Sequence, residues 1–160
     1  MPATLINQTQ ILDNDWIAVE GTETPAEGKV IVELATFLQN ADSLLQRGNV
    51  AVVLKGDEQP ELLVPYLSKL PLLCVNFPAF TDGRGYSIAR LLRERFAYQG
   101  DIRAIGDVLI DQLFFMRRCG ISSYLLKEGL SAEKALGYFK TIGESYQTAV
   151  DLPEPLFRRR

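Results

Sequence analysis

The sequence predicts an α/β fold built on a mostly parallel sheet. From Val30 onward, short apolar segments of strand length alternate with longer segments of helical periodicity. Glycine directly follows three of the predicted helices, at Gly48, Gly100 and Gly120, where its left-handed conformation is favoured. Alternating β and α segments place parallel strands side by side under a helical cover. Two arrangements stay open: a three-layer flavodoxin-like sheet, and a half-barrel completed by dimerisation.

The first 29 residues differ from the rest and predict a β-hairpin followed by a loop. Short apolar pieces at residues 5–6, 11–12 and 16–19 are separated by Asn, Gln and Asp, which is typical of a hairpin or of edge strands. Residues 22–29 contain Pro25 and Gly28, and we expect a loop there.

Residues 30–150 contain the βα units. We predict strands over residues 30–34, 50–54, 72–77, 102–105 and 123–126. We predict helices over residues 36–46, 60–70, 86–98, 108–119 and 132–150, the last with Ser131 as its N-cap. Residues 151–160 form a tail, because its two prolines cannot continue a helix. The three arginines at its end are either solvated or in contact with an acidic partner or an anion.

The length of 160 residues favours one domain, spanning residues 1–160, and the composition excludes several classes of function. A net charge of −3 gives the molecule no electrostatic attraction for nucleic acid, and Arg90, Arg93 and Arg95 are expected on a solvated helix face. No apolar run approaches the roughly 20 residues of a membrane span. The N-terminal residues lack the pattern of a secretory signal, so we expect a cytoplasmic protein with no membrane contact.

The chain contains no histidine and only two cysteines, Cys74 and Cys119. Ser-His and Cys-His nucleophile pairs, histidine-based zinc sites and four-cysteine clusters therefore cannot be built from this chain alone. We expect both cysteines to be buried as small apolar side chains. The sequence predicts no metal site and no cofactor.

The strongest candidate site follows the predicted strand 72–77. Two glycines, an arginine and several hydroxyl groups meet there at a strand-to-helix junction: Thr81, Asp82, Gly83, Arg84, Gly85, Tyr86 and Ser87. Such a junction presents free backbone N–H groups and the positive end of a helix dipole, so it can bind an anion. Glycines let a ligand approach the backbone, and Arg84 can hold an oxyanion through two hydrogen bonds. The alternative is a tight turn in which Asp82 caps the helix and Arg84 forms a structural ion pair.

Asp107 follows the next predicted strand, at the same edge of a parallel sheet as this loop. We expect it near Arg84 or its ligand, where it either caps the following helix or serves as a general acid or base or as a cation-binding carboxylate. Arg103, four residues earlier in the chain, is expected to line the same pocket.

The predicted helix 108–119 is apolar on more than one side. The residues concerned are Val108, Leu109, Ile110, Leu113, Phe114, Phe115 and Met116. A helix of this kind is either central in the fold or part of an interface, and a homodimer is one outcome.

Four segments carry a resemblance to a known family. They are the run from Phe77 to Arg95, Arg103-Ala-Ile-Gly-Asp-Val108, Asp111-Gln-Leu113 and the ending Pro155-Leu-Phe-Arg158. These segments are similar to a bacterial family, domain of unknown function nine-three-four. Ala79 is a departure, because lysine is expected there in many relatives.

The resemblance implies a biological context more than a reaction. Members carry a label that describes them as oxidoreductases of sulfite reduction, and they are commonly encoded beside the haemoprotein subunit of assimilatory sulfite reductase. An accessory protein of sulfur assimilation that binds an oxyanion or a redox partner, sulfite reductase itself, is therefore implied. No catalytic residue carries over, and whether the chain is an enzyme stays open. The alternatives are a small enzyme acting on a phosphorylated or sulfonated metabolite, with Asp107 as acid or base, and a purely structural dimer.

Overall fold

The structure is a computed structural model that describes residues 3–21, 24–25, 27–79 and 81–141. One eight-stranded sheet contains β1 (Leu5–Ile6), β2 (Ile11–Leu12), β3 (Trp16–Ala18), β4 (Lys29–Glu33), β5 (Val50–Leu54), β6 (Leu72–Phe77), β7 (Asp101–Gly106) and β8 (Ser123–Leu125). Its spatial order is β2-β1-β8-β7-β6-β5-β4-β3. Strands β3 to β8 pair in parallel, whereas β1 pairs antiparallel with both β2 and β8. The mostly parallel sheet and the N-terminal hairpin are therefore confirmed.

Strands β3 to β8 lie side by side in chain order, which is the order of a half-barrel. A flavodoxin-like sheet instead reverses its strand order at a switch point, with helices on both faces. The described strands show no such reversal, so the flavodoxin-like arrangement is not confirmed and the half-barrel alternative describes the sheet. β3 also lies outside the predicted hairpin, because it pairs with β4 at the opposite edge.

The sheet must be strongly curled, because only residues 13–15 connect β2 at one edge to β3 at the other. Four Cα–Cα steps lead from Leu12 to Trp16, so their Cα atoms lie at most about 14 Å apart. A flat sheet would separate its outer strands by seven intervals of about 4.8 Å, or about 34 Å. The curl gives the sheet a concave and a convex face.

The described α-helices are α1 (Leu34–Gln39), α2 (Ala41–Arg47), α3 (Arg84–Arg90), α4 (Leu113–Arg118) and α5 (Ala132–Thr141). The first four are shorter than the sequence predicts. Residues 142–160, which contain the end of the predicted helix 132–150 and the predicted tail, lie outside the described residues. The predicted helix 36–46 is divided at Asn40, whose backbone leaves the helical region, and residues 60–69 form a 3₁₀ helix that contains Pro65. Residues 110–112 add a 3₁₀ turn before α4, and residues 91–95 continue α3 as a π-helical turn. None of the described helices is long and apolar enough to cross a membrane.

The main core lies between the helices and the convex face of the sheet. It brings alternate strand residues such as Val52 and Val75 against helix residues such as Phe37 and Ile88. A second, smaller cluster on the concave face consists of strand residues only: Ile31, Ala51, Leu72 and Cys74, with Trp16, Val53 and Ile105 packed against them. Both cysteines are buried and unpaired, as expected, Cys74 on the concave face and Cys119 in the main core.

Candidate functional site

The Gly-Arg-Gly loop lies at the carboxyl end of β6, at the junction that the sequence predicts. β6 ends at Phe77 and α3 begins at Arg84, with Gly83 immediately before the helix. Thr81 and Ser87 expose their side chains to solvent at this edge. The loop therefore occupies the edge of the parallel strands where α/β proteins bind ligands.

Arg84 is held by Asp82 rather than left free. Its Nε and Nη2 donate hydrogen bonds of 3.0 and 2.8 Å to the two carboxylate oxygens of Asp82, and its backbone N–H donates a third, of 3.1 Å. These bonds from the Arg84 side chain, and then from its backbone, lower the pKa of Asp82 to about 2. The Asp82 side chain is 16% exposed but that of Arg84 is 58% exposed. Asp82 thus holds a cation that still faces solvent.

The two glycines of the loop have different physical roles. A Cβ on Gly85 would lie 2.7 Å from Phe77 Cε1 and 2.8 Å from Val75 Cγ1, so glycine is required for α3 to pack on β6. A Cβ on Gly83 would meet nothing closer than 3.9 Å. The expectation that the glycines let a ligand approach is therefore replaced, at Gly85, by close helix–strand packing.

A third glycine, Gly56 after β5, makes room for Arg84. A Cβ on Gly56 would lie 2.8 Å from Arg84 Nε and 2.9 Å from Arg84 Cβ. Sequence analysis did not single out Gly56, because only the three-dimensional fold places the loop after β5 against the loop after β6.

The ring of Tyr86 packs within an aromatic row. Its ring centroid lies 5.0 Å from that of buried Phe77 and 4.7 Å from that of Phe115, which is 52% exposed. Burial raises the pKa of the Tyr86 phenol, so it stays neutral at physiological pH.

Asp107 and Lys127 form a second ion pair at the same edge of the sheet. Lys127 Nζ lies 2.8 Å from Asp107 Oδ1, with the lysine side chain 56% exposed and the aspartate 17% exposed. The sequence predicts a partnership between Asp107 and Arg84 or its ligand, but the structure places Lys127, from the segment after β8, on this carboxylate. No local sequence signal links these two residues, which lie 20 positions apart and follow two different strands.

A cavity of about 460 Å³ adjoins this ion pair. It is lined by Ala3, Gly106, Leu125, Leu126, Lys127 and Glu128. Gly106 has a φ of +94°, and a Cβ there would lie 2.4 Å from the Phe77 carbonyl oxygen, so the backbone turns sharply at this point. The cavity lies at the carboxyl ends of β7 and β8, and none of its lining residues belongs to the segment 81–87.

Arg103 does not lie with the loop. It occupies the middle of β7 on the concave face, where its Nε donates to Ser123 Oγ at 3.2 Å and its Nη2 lies 3.6 Å from Asp101 Oδ2. Asp101 precedes Arg103 by two residues on the same face, so the guanidinium is directed toward the amino end of the strand. The structure therefore separates Arg103 from the segment 81–87 with which the sequence grouped it.

A polar network that sequence analysis missed surrounds Asp101. This carboxylate accepts hydrogen bonds from the hydroxyl groups of Ser122 and Ser123. Arg93, expected on a solvated helix face, instead donates to Ser122 and to the carbonyl oxygens of residues 98, 100 and 120. Burial lowers the pKa of Arg93, and the nearby phenol of Tyr98 and carboxylate of Asp101 oppose that shift.

Comparison with known proteins gives a family but no activity. The family model described as "Bacterial protein of unknown function (DUF934)" matches residues 51–157. The chain belongs to this family. The matched region of the DUF934 chain includes the ion pairs Asp82–Arg84 and Asp107–Lys127, whereas β1 to β4 lie outside it. No curated protein matches the chain.

The described residues contain no group of three or more histidine, cysteine, aspartate or glutamate side chains arranged to hold a metal ion. We call the edge of the sheet at the carboxyl ends of β6, β7 and β8 the carboxyl rim. It carries two exposed cations, Arg84 and Lys127, each paired with a less exposed carboxylate, and a cavity beside Lys127. Such an arrangement can bind an anion by charge and hydrogen bonding.

Proposed function

We propose that this DUF934 protein is a non-catalytic accessory protein of assimilatory sulfite reduction that binds an oxyanion at its carboxyl rim. Arg84 and Lys127 would supply the positive charge, with the exposed hydroxyls of Thr81 and Ser87 near Arg84. The observation that carries the proposal is the matched pair of rim cations, 58% and 56% exposed, each held from below by a carboxylate that is less than one-fifth exposed.

The geometry supports binding more than it supports catalysis. Arg84 follows β6 and Lys127 follows β8, so both cations lie at the same edge of the sheet, where the ends of these two strands are about 10 Å apart. Each carboxylate fixes the position of its cation and so reduces the entropy lost when an anion binds. The Nη1 group of Arg84 donates to no described residue and is available to a ligand.

The connection with sulfite reduction rests on the resemblance described above, and it supplies the choice of ligand and partner. Sulfite and sulfate are compact oxyanions that suit a bidentate guanidinium. A redox partner that carries its own cluster would supply the electron chemistry that this chain cannot build from two buried cysteines. We propose the haemoprotein subunit of sulfite reductase as that partner.

Thermal denaturation of the full chain in sulfite, sulfate and phosphate at matched ionic strength tests the anion site. A ligand at 100 times its Kd stabilises the folded state by about 2.7 kcal/mol, which raises Tm by about 5–10 °C for a chain of this length. We expect the shift to shrink in Arg84→Ala and Lys127→Ala and to persist in Lys69→Ala, an exposed lysine that precedes β6 at the opposite edge. Equal shifts in all four proteins would contradict the rim site.

Co-purification of the tagged chain with sulfite reductase tests the partner. A deletion strain is expected to grow poorly on sulfate and normally on sulfide, because only the former requires sulfite reduction. Normal growth of that strain on sulfate would count against the whole accessory role, whatever the rim binds.

The enzyme alternative makes a different prediction about Asp107. An enzyme acting on a phosphorylated or sulfonated metabolite would use this carboxylate as acid or base, so Asp107→Asn would abolish turnover in a folded protein. In the structure Asp107 is engaged by Lys127, and we expect Asp107→Asn to weaken anion binding modestly by releasing the Lys127 side chain. The structural-dimer alternative predicts no ligand-dependent change in stability.

A further inference from the structure

A row of five side chains, among them the polar Glu33, Arg103 and Ser123, crosses the middle of the concave face. The register places Glu33, Val53, Cys74, Arg103 and Ser123 side by side on five neighbouring parallel strands. Cys74, Arg103 and Ser123 are 0%, 6% and 1% exposed. Because the sheet is curled, these residues line its inside although no described helix packs on this face.

The Arg103 guanidinium is incompletely satisfied by the described chain. Ser123 and Asp101 hold the edge formed by Nε and Nη2. No described residue accepts a hydrogen bond from Nη1, yet the side chain is only 7% exposed. An arginine keeps its charge in proteins and presents five donors in a rigid plane, so a buried Nη1 requires an acceptor.

The charges around Arg103 are also unbalanced. Asp101 lies 3.6 Å from Nη2 of Arg103, and its carboxylate acts on Arg93 as well. Two cations thus share one carboxylate. The other acids near this face are each paired with a lysine, Glu33 at 3.6 Å and Asp15 at 2.8 Å. Asp15 also interacts with the charge of Arg103, but Lys29 makes the closer contact and offsets the Asp15 carboxylate. A buried charge is costly unless it is paired.

Cys74 cannot supply the missing negative charge. Burial raises the pKa of its thiol to about 12, despite the opposing effect of Arg103, so the thiol stays neutral at physiological pH. Together with Leu72 and Ile31 it gives the surroundings of Arg103 a mostly apolar character.

We propose that the concave face holds a buried site for a small monovalent oxyanion, bound by Nη1 and the free hydrogen of Nη2 of Arg103. One negative charge matches the imbalance, and two oxygen atoms fit the fork of the guanidinium. Formate, nitrate and hydrogensulfite belong to this class. The site is separate from the rim and does not depend on the proposed function.

Anion titration of the full chain in chloride-free buffer tests this site. Formate and nitrate are the probes, with ionic strength balanced by gluconate, which is too large for the site, and with thermal stability as the readout. We expect saturable stabilisation that is unchanged in the double variant Arg84→Ala/Lys127→Ala. In Arg103→Lys we expect the apparent Kd to rise by at least about tenfold, because an ammonium group has no fork and loses the bond to Ser123.

Three results would overturn the inference: no saturation in the wild-type protein, an unchanged Kd in folded Arg103→Lys, or loss of the effect in the double rim variant. The last result would assign the anion to the rim and leave the proposed function standing. If Arg103→Lys does not fold, crystals of the wild-type protein soaked in nitrate decide by difference electron density. Planar density beside Nη1 supports the site, and its absence refutes it. Such density without saturable stabilisation in solution would mean an adventitious ion only, which also refutes it.

Discussion

Replacing Gly85 by alanine is expected to destabilise the protein, whereas the same change at Gly83 is expected to be nearly neutral. At Gly85 the new Cβ would lie 2.7–2.8 Å from carbon atoms of Phe77 and Val75. Ordinary carbon–carbon contacts are about 3.5–4.0 Å. Phe77 and Val75 are 2% and 0% exposed, so neither side chain can withdraw into solvent.

The magnitude follows from two opposing effects. Overpacking costs about 1–3 kcal/mol, and two rigid neighbours place Gly85→Ala in the upper half of that range. The lower conformational freedom of alanine in the unfolded chain and its helix propensity offset up to about 1 kcal/mol. The net loss is about 1–2 kcal/mol, or about 2–8 °C in Tm for a chain of this length. At Gly83, with open space and a φ of −87°, we expect a change below about 0.5 kcal/mol.

Urea denaturation followed by far-UV circular dichroism measures both variants under one protocol. The difference between them isolates the packing of α3 on β6, because both changes add the same methyl group to the same motif. Equal stability of the two variants would refute this explanation of Gly85. The glycine would then be better explained by the approach of a ligand to the backbone.

Three further outcomes are expected from the described contacts. The Asp82 carboxyl should titrate near pH 2 by NMR and return toward about 4 in Arg84→Ala; its depressed folded-state pKa means that its contribution to stability is lost as pH falls from about 4 to 2. A normal Asp82 pKa in the wild-type protein would show that the ion pair does not persist in solution. The Cys74 thiol, with a pKa raised to about 12, should resist a thiol reagent at pH 8 until the protein unfolds, and rapid labelling of the native protein would contradict its burial. Arg93→Met should lower the free energy of unfolding in urea by about 3 kcal/mol, because three backbone carbonyls lose a charged donor. The control Arg95→Met changes an exposed side chain and should lower it by less than about 0.5 kcal/mol. A similar small loss at both positions would mean that Arg93 is solvated.

The sequence predicts the strands well because their signal is local. Apolar runs of four to six residues, each bounded by glycine or polar residues, locate β4 to β8 within one residue of their observed bounds. Strand order has no comparable local signal, and the same alternation is compatible with a flavodoxin-like sheet and with a half-barrel. Only the spatial order of β3 to β8, which follows the chain without a reversal, distinguishes the two.

The candidate site shows the same division between local and distant information. The ion pair of Asp82 with Arg84 joins residues two positions apart, and the sequence already offered a structural ion pair for Arg84 as an alternative, without naming its partner. The partnership of Asp107 with Lys127 and the bonds from Arg93 to Gly120 and Ser122 join residues 20 or more positions apart, which only folding brings together. For the same reason, the segment 81–87 could be located from the sequence but Arg103 could not be placed relative to it.

The pairing of β1 with β8 has a consequence for how the chain is made. Leu5 meets Leu125, so the two partners lie 120 positions apart in the chain. During synthesis β1 therefore leaves the ribosome long before β8 does, while β3, β4 and β5 can already associate. The amino-terminal hairpin waits for its partner strand through the synthesis of all the intervening βα units, and the β1–β8 pairing is a late, non-local step of folding.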